Sequence, residues 1–163
     1  MRILGIDPGF AIVGYGVIDY SGTEYKTVDY GKVTTSAHTP LPKRLKTVYD
    51  GISKLIDTFN PDCMAVEELF FNTNVTTAIA VGHARGVILL AAANKNIPIF
   101  EYTPLQIKQA VAGYGRADKN QVQQMVKMFL KLKEVPKPDD TADALAVAIC
   151  HANSASLSGI LGV

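Results

Sequence analysis

The stretch Ile3-Leu4-Gly5-Ile6-Asp7-Pro8-Gly9 is a short apolar run that ends on a carboxylate and then turns. A run of this kind reads as a buried strand, and Pro8-Gly9 enforces a turn directly after Asp7. The chain resumes a strand pattern from Ile12 to Tyr20 through Val13, Tyr15, Val17 and Ile18. Ser21-Gly22 is a hairpin signal, and a further strand is expected from Glu24 to about Thr34. Three strands joined by short turns predict an antiparallel meander.

The pattern then changes period. Leu41, Leu45, Val48, Ile52, Leu55, Ile56 and Phe59 recur at helical intervals and form one apolar stripe. Asn60-Pro61 ends that helix, and Asp62 to Glu67 predicts a fourth strand parallel to the first. Thr76 to Asn94 reads as a long helix, apolar on nearly all sides, with Gly82 and Gly86 four apart. Such a helix has to be covered on more than one face. A fifth strand is expected from Ile97 to Tyr102, then helices near Pro104–Val111, Asp118–Leu130 and Asp139–Asn153. This order predicts an α/β fold: a mixed five-stranded sheet with helices on both faces. Residues 1–153 read as one domain, and 154–163 as a short mobile tail.

Bulk properties agree with a single globular domain: 163 residues, 48% hydrophobic and 19% charged. The apolar stretch Ala78 to Ala93 is interrupted by Gly82-His83 and Arg85-Gly86, so no membrane span is expected. Asp7 follows the first apolar run too soon for a secretory signal. Cys63 and Cys150 have no metal or redox spacing and read as small buried side chains, which fits a reducing cytoplasm. Net charge is only +1, but seven basic residues face two acidic ones between Pro104 and Lys137. That local surplus is of the kind that binds phosphate backbones, although a solvated helix face would look the same. His38, His83 and His151 show no ligand spacing; His83 is expected to be structural and His151 exposed.

The chemistry-bearing candidates are acidic. Ligands gather at the carboxyl ends of parallel strands, and Asp7 and Glu67 end the first and fourth strands, which are parallel neighbours in this topology. Asp140 and Asp143 are three apart, on one face of the last helix. Carboxylates so placed repel and hold protons. Divalent cations remove that penalty, and two of them about 4 Å apart would clamp a scissile phosphate. Each residue also has a plainer reading. Asp-Pro-Gly is a common turn, Glu67 or Glu68 could end a strand in solvent, and Asp139 or Asp140 could cap the last helix. Asp143 would favour the helix dipole in any case. The residues alone leave Glu67 against Glu68 and Asp140 against Asp139 open.

Beyond these, the segments Ile3 to Gly9, Gly14-Tyr15-Gly16-Val17-Ile18, Ala65-Val66-Glu67, Gly82-His83-Ala84-Arg85-Gly86, Gln121-Val122 and Ala142-Asp143-Ala144-Leu145-Ala146 occur in one order. Together, over about residues 1–153, they resemble the RuvC family of bacterial Holliday-junction resolvases. The resemblance implies a ribonuclease-H-like fold and a homodimer that nicks two opposed strands of four-way junction DNA. It implies Mg²⁺, two per active site with Mn²⁺ as a substitute, held by Asp7, Glu67, Asp140 and Asp143 as catalytic ligands. It further implies that Phe70, with Phe71 beside it, stacks on a base at the junction centre. Lys108 and Lys119 would contact phosphate, and Arg85 would reach phosphate or brace the dimer. Branch-migration proteins RuvA and RuvB would be partners, in the cytoplasm. Two other classes compete with this reading. One is a single lobe of an ATP-binding actin-like or sugar-kinase-like protein, which also begins with a strand ending in Gly-Ile-Asp. The other is a catalytically inactive junction-binding module of the same fold.

Overall fold

The computed structural model describes residues 1–68 and 75–161, with side chains described through Ser156. Its strands are β1 (Arg2–Asp7), β2 (Ile12–Tyr20), β3 (Tyr25–Thr34), β4 (Cys63–Glu67) and β5 (Ile99–Tyr102). Its helices are α1 (Leu41–Phe59), α2 (Val75–Asn94), α3 (Pro104–Ala112), α4 (Lys119–Phe129) and α5 (Asp139–Leu161). The strands form one sheet in the order β3-β2-β1-β4-β5, antiparallel through the meander and parallel from β1 to β4 and from β4 to β5. The expected α/β sheet is therefore present, with β1 and β4 adjacent.

Strand alternation sorts the core into two halves. Leu4, Ile6, Val13, Val17, Met64 and Val66 pack with Val48, Ile52 and Ile56 of α1 and Ile88, Ala91 and Ala92 of α2. On the other face Ile3, Ile18, Cys63 and Ala65 meet apolar residues of α3, α4 and α5. Because side chains alternate along a strand, Ile3, Gly5 and Asp7 point to the α5 face together. The same parity puts Cys63, Ala65 and Glu67 on that face. Burial raises the Cys63 thiol to about 11 and that of Cys150 to about 12, as inert interior thiols require.

Two expectations are corrected by the fold. Helix α5 does not stop near Asn153 but continues to Leu161, and Ser156 Oγ lies 2.6 Å from the Tyr20 hydroxyl. The strand meander thus supplies a partner for residues expected to form a tail. His151 is accordingly inside the helix and buried: Tyr102 Oη lies 2.7 Å from its Nδ1, and its ring stacks 4.4 Å from Phe100. Burial lowers its pKa.

Helix α2 differs from the reading of its interruptions. By length and composition it could cross a membrane, and 22% of its most apolar stretch is buried in the fold. Small glycines at 82 and 86 weigh little on mean hydropathy, so the interruptions do not separate it from a span. In the fold α2 packs on α1, with Ala84, Ile88, Ala91 and Ala92 buried, and Arg85 is ion-paired with Glu101 of β5. Val75, Ile79 and Leu90 remain exposed along it.

Candidate active site

Three glycines decide how closely α5 approaches the sheet. Gly5 and Gly16 are cross-strand partners, as are Asp7 and Gly14. A Cβ on Gly5 would come within 2.2 Å of the Ala144 carbonyl oxygen, and one on Gly16 within 2.5 Å of Leu145 Cδ2. A Cβ on Gly14 would come within 2.0 Å of the Asp140 carbonyl oxygen. The helix therefore lies on a floor of bare backbone. It meets Gly5 with Ala144 and Ala148, two small buried residues that permit the approach. Its first turn ends up beside the carboxyl end of β1.

The floor brings all four acidic candidates to one place. Asp7 and Glu67 bear on each other's ionisation: Glu67 raises the Asp7 carboxyl, and Asp7 offsets part of the rise at Glu67. Burial, then the charges of Glu67, Asp143 and Asp140, push the Asp7 carboxyl up to about 8. Burial and the charge of Asp143 also raise Glu67, against the opposing pull of Lys108 and Lys119. Asp143 is raised by burial and by its acidic neighbours, while Lys119 pulls it down. Elevation of this kind is the signature of buried, crowded carboxylates whose charge the nearby lysines offset only in part.

Of the plainer alternatives at two positions, Asp139 has its carboxylate engaged by other partners. Glu68 continues the backbone pairing, its N–H donating to the Tyr102 carbonyl at 2.8 Å. Asp139 accepts from Gln123 Nε2 at 3.1 Å and pairs with Lys119 at 3.2 Å and Lys137 at 3.4 Å. Those partners, Lys119 first, hold its carboxyl below the usual range.

Glu67 and Asp143 form the acidic wall of a cleft of about 290 Å³, and Lys108, Lys119, Ile107 and Val122 line the rest. Asp7 lies close enough to that wall for the charges of Glu67 and Asp143 to act on its carboxyl. The cleft therefore holds two lysines together with the carboxylates, a mixture that suits a negatively charged substrate. Thr103 and Asp118 build capping boxes that start α3 and α4, the helices carrying Lys108 and Lys119. Of the other expected site residues, Arg85 is engaged by Glu101, and Phe70 lies outside the described residues. The glycine floor and the Tyr102–His151 contact were not read from sequence. The first had a visible signal, the glycines at alternate positions in β2.

An all-oxygen, carboxylate-rich donor set suits a hard divalent cation, and the raised pKa values are the strain that such an ion would relieve. Among the described residues no three His, Cys, Asp or Glu side chains are drawn together closely enough to hold a metal ion. The carboxylates form an open set, one of them bound to Lys119.

Comparison with known proteins gives one family. The profile described as "Crossover junction endodeoxyribonuclease RuvC" matches residues 3–151. A protein of that name from Alkaliphilus oremlandii is 63% identical over 158 residues, covering 97% of this chain and 96% of the relative. Another, from Clostridioides difficile, is 62% identical over 161 residues, covering 99% and 95%. Among solved structures, Thermus thermophilus RuvC in complex with Holliday junction substrate is similar with a TM-score of 0.93 and 38% identity, over 97% of this chain and 96% of that one. The yeast mitochondrial Holliday junction resolvase is similar in fold alone, with a TM-score of 0.71 at 14% identity over 97% of this chain and 80% of that one.

Proposed function

The chain belongs to the RuvC family of crossover junction endodeoxyribonucleases, and from that premise we propose that the cleft between Glu67, Asp143, Lys108 and Lys119 is where it cuts four-way junction DNA. The enzyme is a ribonuclease-H-like nuclease that resolves Holliday junctions in recombination and repair. The observation that carries the assignment of the site is the convergence of Asp7, Glu67, Asp140 and Asp143, with one of them pushed up to about 8. Membership of this family displaces the kinase-lobe reading.

Asp7, Glu67, Asp140 and Asp143 would hold Mg²⁺, two ions per site with Mn²⁺ able to substitute. Ions held there would supply acidification of the attacking water and neutralisation of charge on the leaving 3′-oxygen, chemistry that would leave 5′-phosphate ends. The protein's own contribution is placement. The glycine floor fixes Asp140 and Asp143 relative to Asp7, and β1–β4 pairing fixes Asp7 beside Glu67. Lys108 and Lys119, both lining the cleft, bind the scissile strand's phosphates and orient the backbone across the carboxylates. Phe70, directly after the Glu67 strand end, is assigned to stacking at the opened junction centre. Arg85, tied to Glu101, braces α2 against β5.

The exposed apolar residues of α2, Val75, Ile79 and Leu90, supply the face on which two copies pair. A two-fold dimer sets two sites on a two-fold junction, and paired nicks follow from that symmetry. The enzyme works in the cytoplasm with the branch-migration proteins RuvA and RuvB. The deciding experiment is a synthetic four-way junction incubated with Mg²⁺ and either the wild type or Asp7→Asn. Paired symmetric nicks from the wild type and none from the variant are expected. An intact junction, or equal cutting by both, would overturn the reading.

A further inference from the structure

Lys119 is shared between two carboxylates with different employment. Its ammonium lies 3.2 Å from Asp139 Oδ2 and 3.4 Å from Asp143 Oδ2, one turn further along α5. Asp143 belongs to the proposed metal-binding set. Asp139 is anchored elsewhere, by Gln123 Nε2 at 3.1 Å and Lys137 Nζ at 3.4 Å. Gln123 is itself buried at 8% exposure, so the grip on Asp139 comes from the interior of α4.

An ammonium and a divalent cation cannot both use the same carboxylate oxygen freely, since like charges at that range repel. If Asp143 were the only partner of Lys119, every metal ion bound there would have to displace the lysine into solvent. Asp139 offers a second place one helical turn away. We propose that Asp139 is a positioning residue for Lys119, receiving its ammonium when Asp143 turns to a metal ion and keeping it at the rim of the cleft for a substrate phosphate. This rests on the reading of Asp143 as a metal ligand. It gives a role to a residue that is not itself a ligand, and it makes Lys119 a movable rather than a fixed contact.

The test is a metal titration without DNA. Metal-free protein is titrated with Mg²⁺ while its thermal midpoint is followed, for wild type, Asp139→Asn, Lys119→Ala and the double variant. Asparagine can still accept from Gln123, so the metal-free midpoint of Asp139→Asn reports whether the start of α5 is preserved. The half-saturating Mg²⁺ concentration is expected to rise about two- to fivefold in Asp139→Asn, the scale of a partly exposed ion pair. In the Lys119→Ala background the same substitution should leave it unchanged, because no ammonium then competes. An equal rise in both backgrounds would show that Asp139 acts on the metal directly and overturns the proposal. So would a wild type that responds to Mg²⁺ while Asp139→Asn is indistinguishable from it. A wild type whose midpoint ignores Mg²⁺ removes the metal reading and this inference with it.

Discussion

The backbone of Asp140 lies directly on Gly14, so closely that a Cβ there would come within 2.0 Å of the Asp140 carbonyl oxygen. Gly14 is in turn the cross-strand partner of Asp7. Two carboxylates distant in sequence are thereby set by one backbone contact, whose closeness depends on a missing methyl group. Gly14→Ala must lift the first turn of α5 or bend β2. Overpacking of this kind costs about 1–3 kcal/mol, and misplacement of catalytic groups by about 1 Å costs on the order of a hundredfold in rate. A lowered melting midpoint and junction cleavage reduced on the order of a hundredfold are expected. Wild-type cleavage by Gly14→Ala would show that the floor does not set the site.

Asp7 gives a prediction with a definite sign. Its folded pKa, about 8, stands above the ordinary carboxylate value of 3.8. The folded state therefore holds the proton more tightly than the unfolded chain, and the metal-free protein loses stability as pH rises through that window. Melting of the chelated protein is expected to fall from pH 5 to pH 8 and level off above. Asp7→Asn removes the charge that the cluster resists, so it should melt higher than wild type at pH 8 and show a shallower pH slope, while cutting no junctions. Such a gain in stability at the expense of activity is common where function requires crowded charge. A parallel pH dependence in the two proteins would remove Asp7 as its source.

Much of this arrangement was legible in the chain because its periodicities are strong. Val48, Ile52 and Ile56 announced α1 and are buried where the stripe put them. Glu67 against Glu68 was decidable in principle, since Cys63 and Ala65 face α5 and a two-residue period carries Glu67 with them. That inference needs to know which face α5 covers, and this is a property of the whole sheet. Asp140 against Asp139 was harder. Both open the same helix, and only its register over Gly14 and Gly16 separates a residue beside Asp7 from one held by Gln123 and Lys119. His151 was misjudged for the same reason. Its burial comes from Phe100 and Tyr102, about fifty positions away, which no local window contains.

Lys119 is expected to act on DNA through its charge. Lys119→Ala should weaken junction binding uniformly across sequences, and the slope of log affinity against log salt should become shallower by about one. Lys108→Ala, altering the same cleft from α3, should behave alike. Binding measured with Ca²⁺ in place of Mg²⁺ across a salt series checks both. An unchanged slope would take the lysine off the DNA-binding face.

Helix α2 provides the last prediction, because its exposed apolar residues need a partner. Val75 is 75% exposed, Ile79 57% and Leu90 53%, on a helix that packs against α1 along another face. Exposed apolar side chains in such a row mark association surfaces, and a charge placed among them must be desolvated whenever two copies meet. Ile79→Glu and Leu90→Lys are therefore expected to sediment as monomers at concentrations where the wild type is a dimer, with melting little changed because neither side chain is in the core. Each carboxylate cleft would remain intact in the monomer, so nicking should persist at a lower rate while the two cuts lose their coordination. On a cruciform plasmid this appears as nicked circles accumulating ahead of linear product. Dimeric variants, or monomers that still linearise in one binding event, would show that α2 is not the face on which the two active sites are coupled.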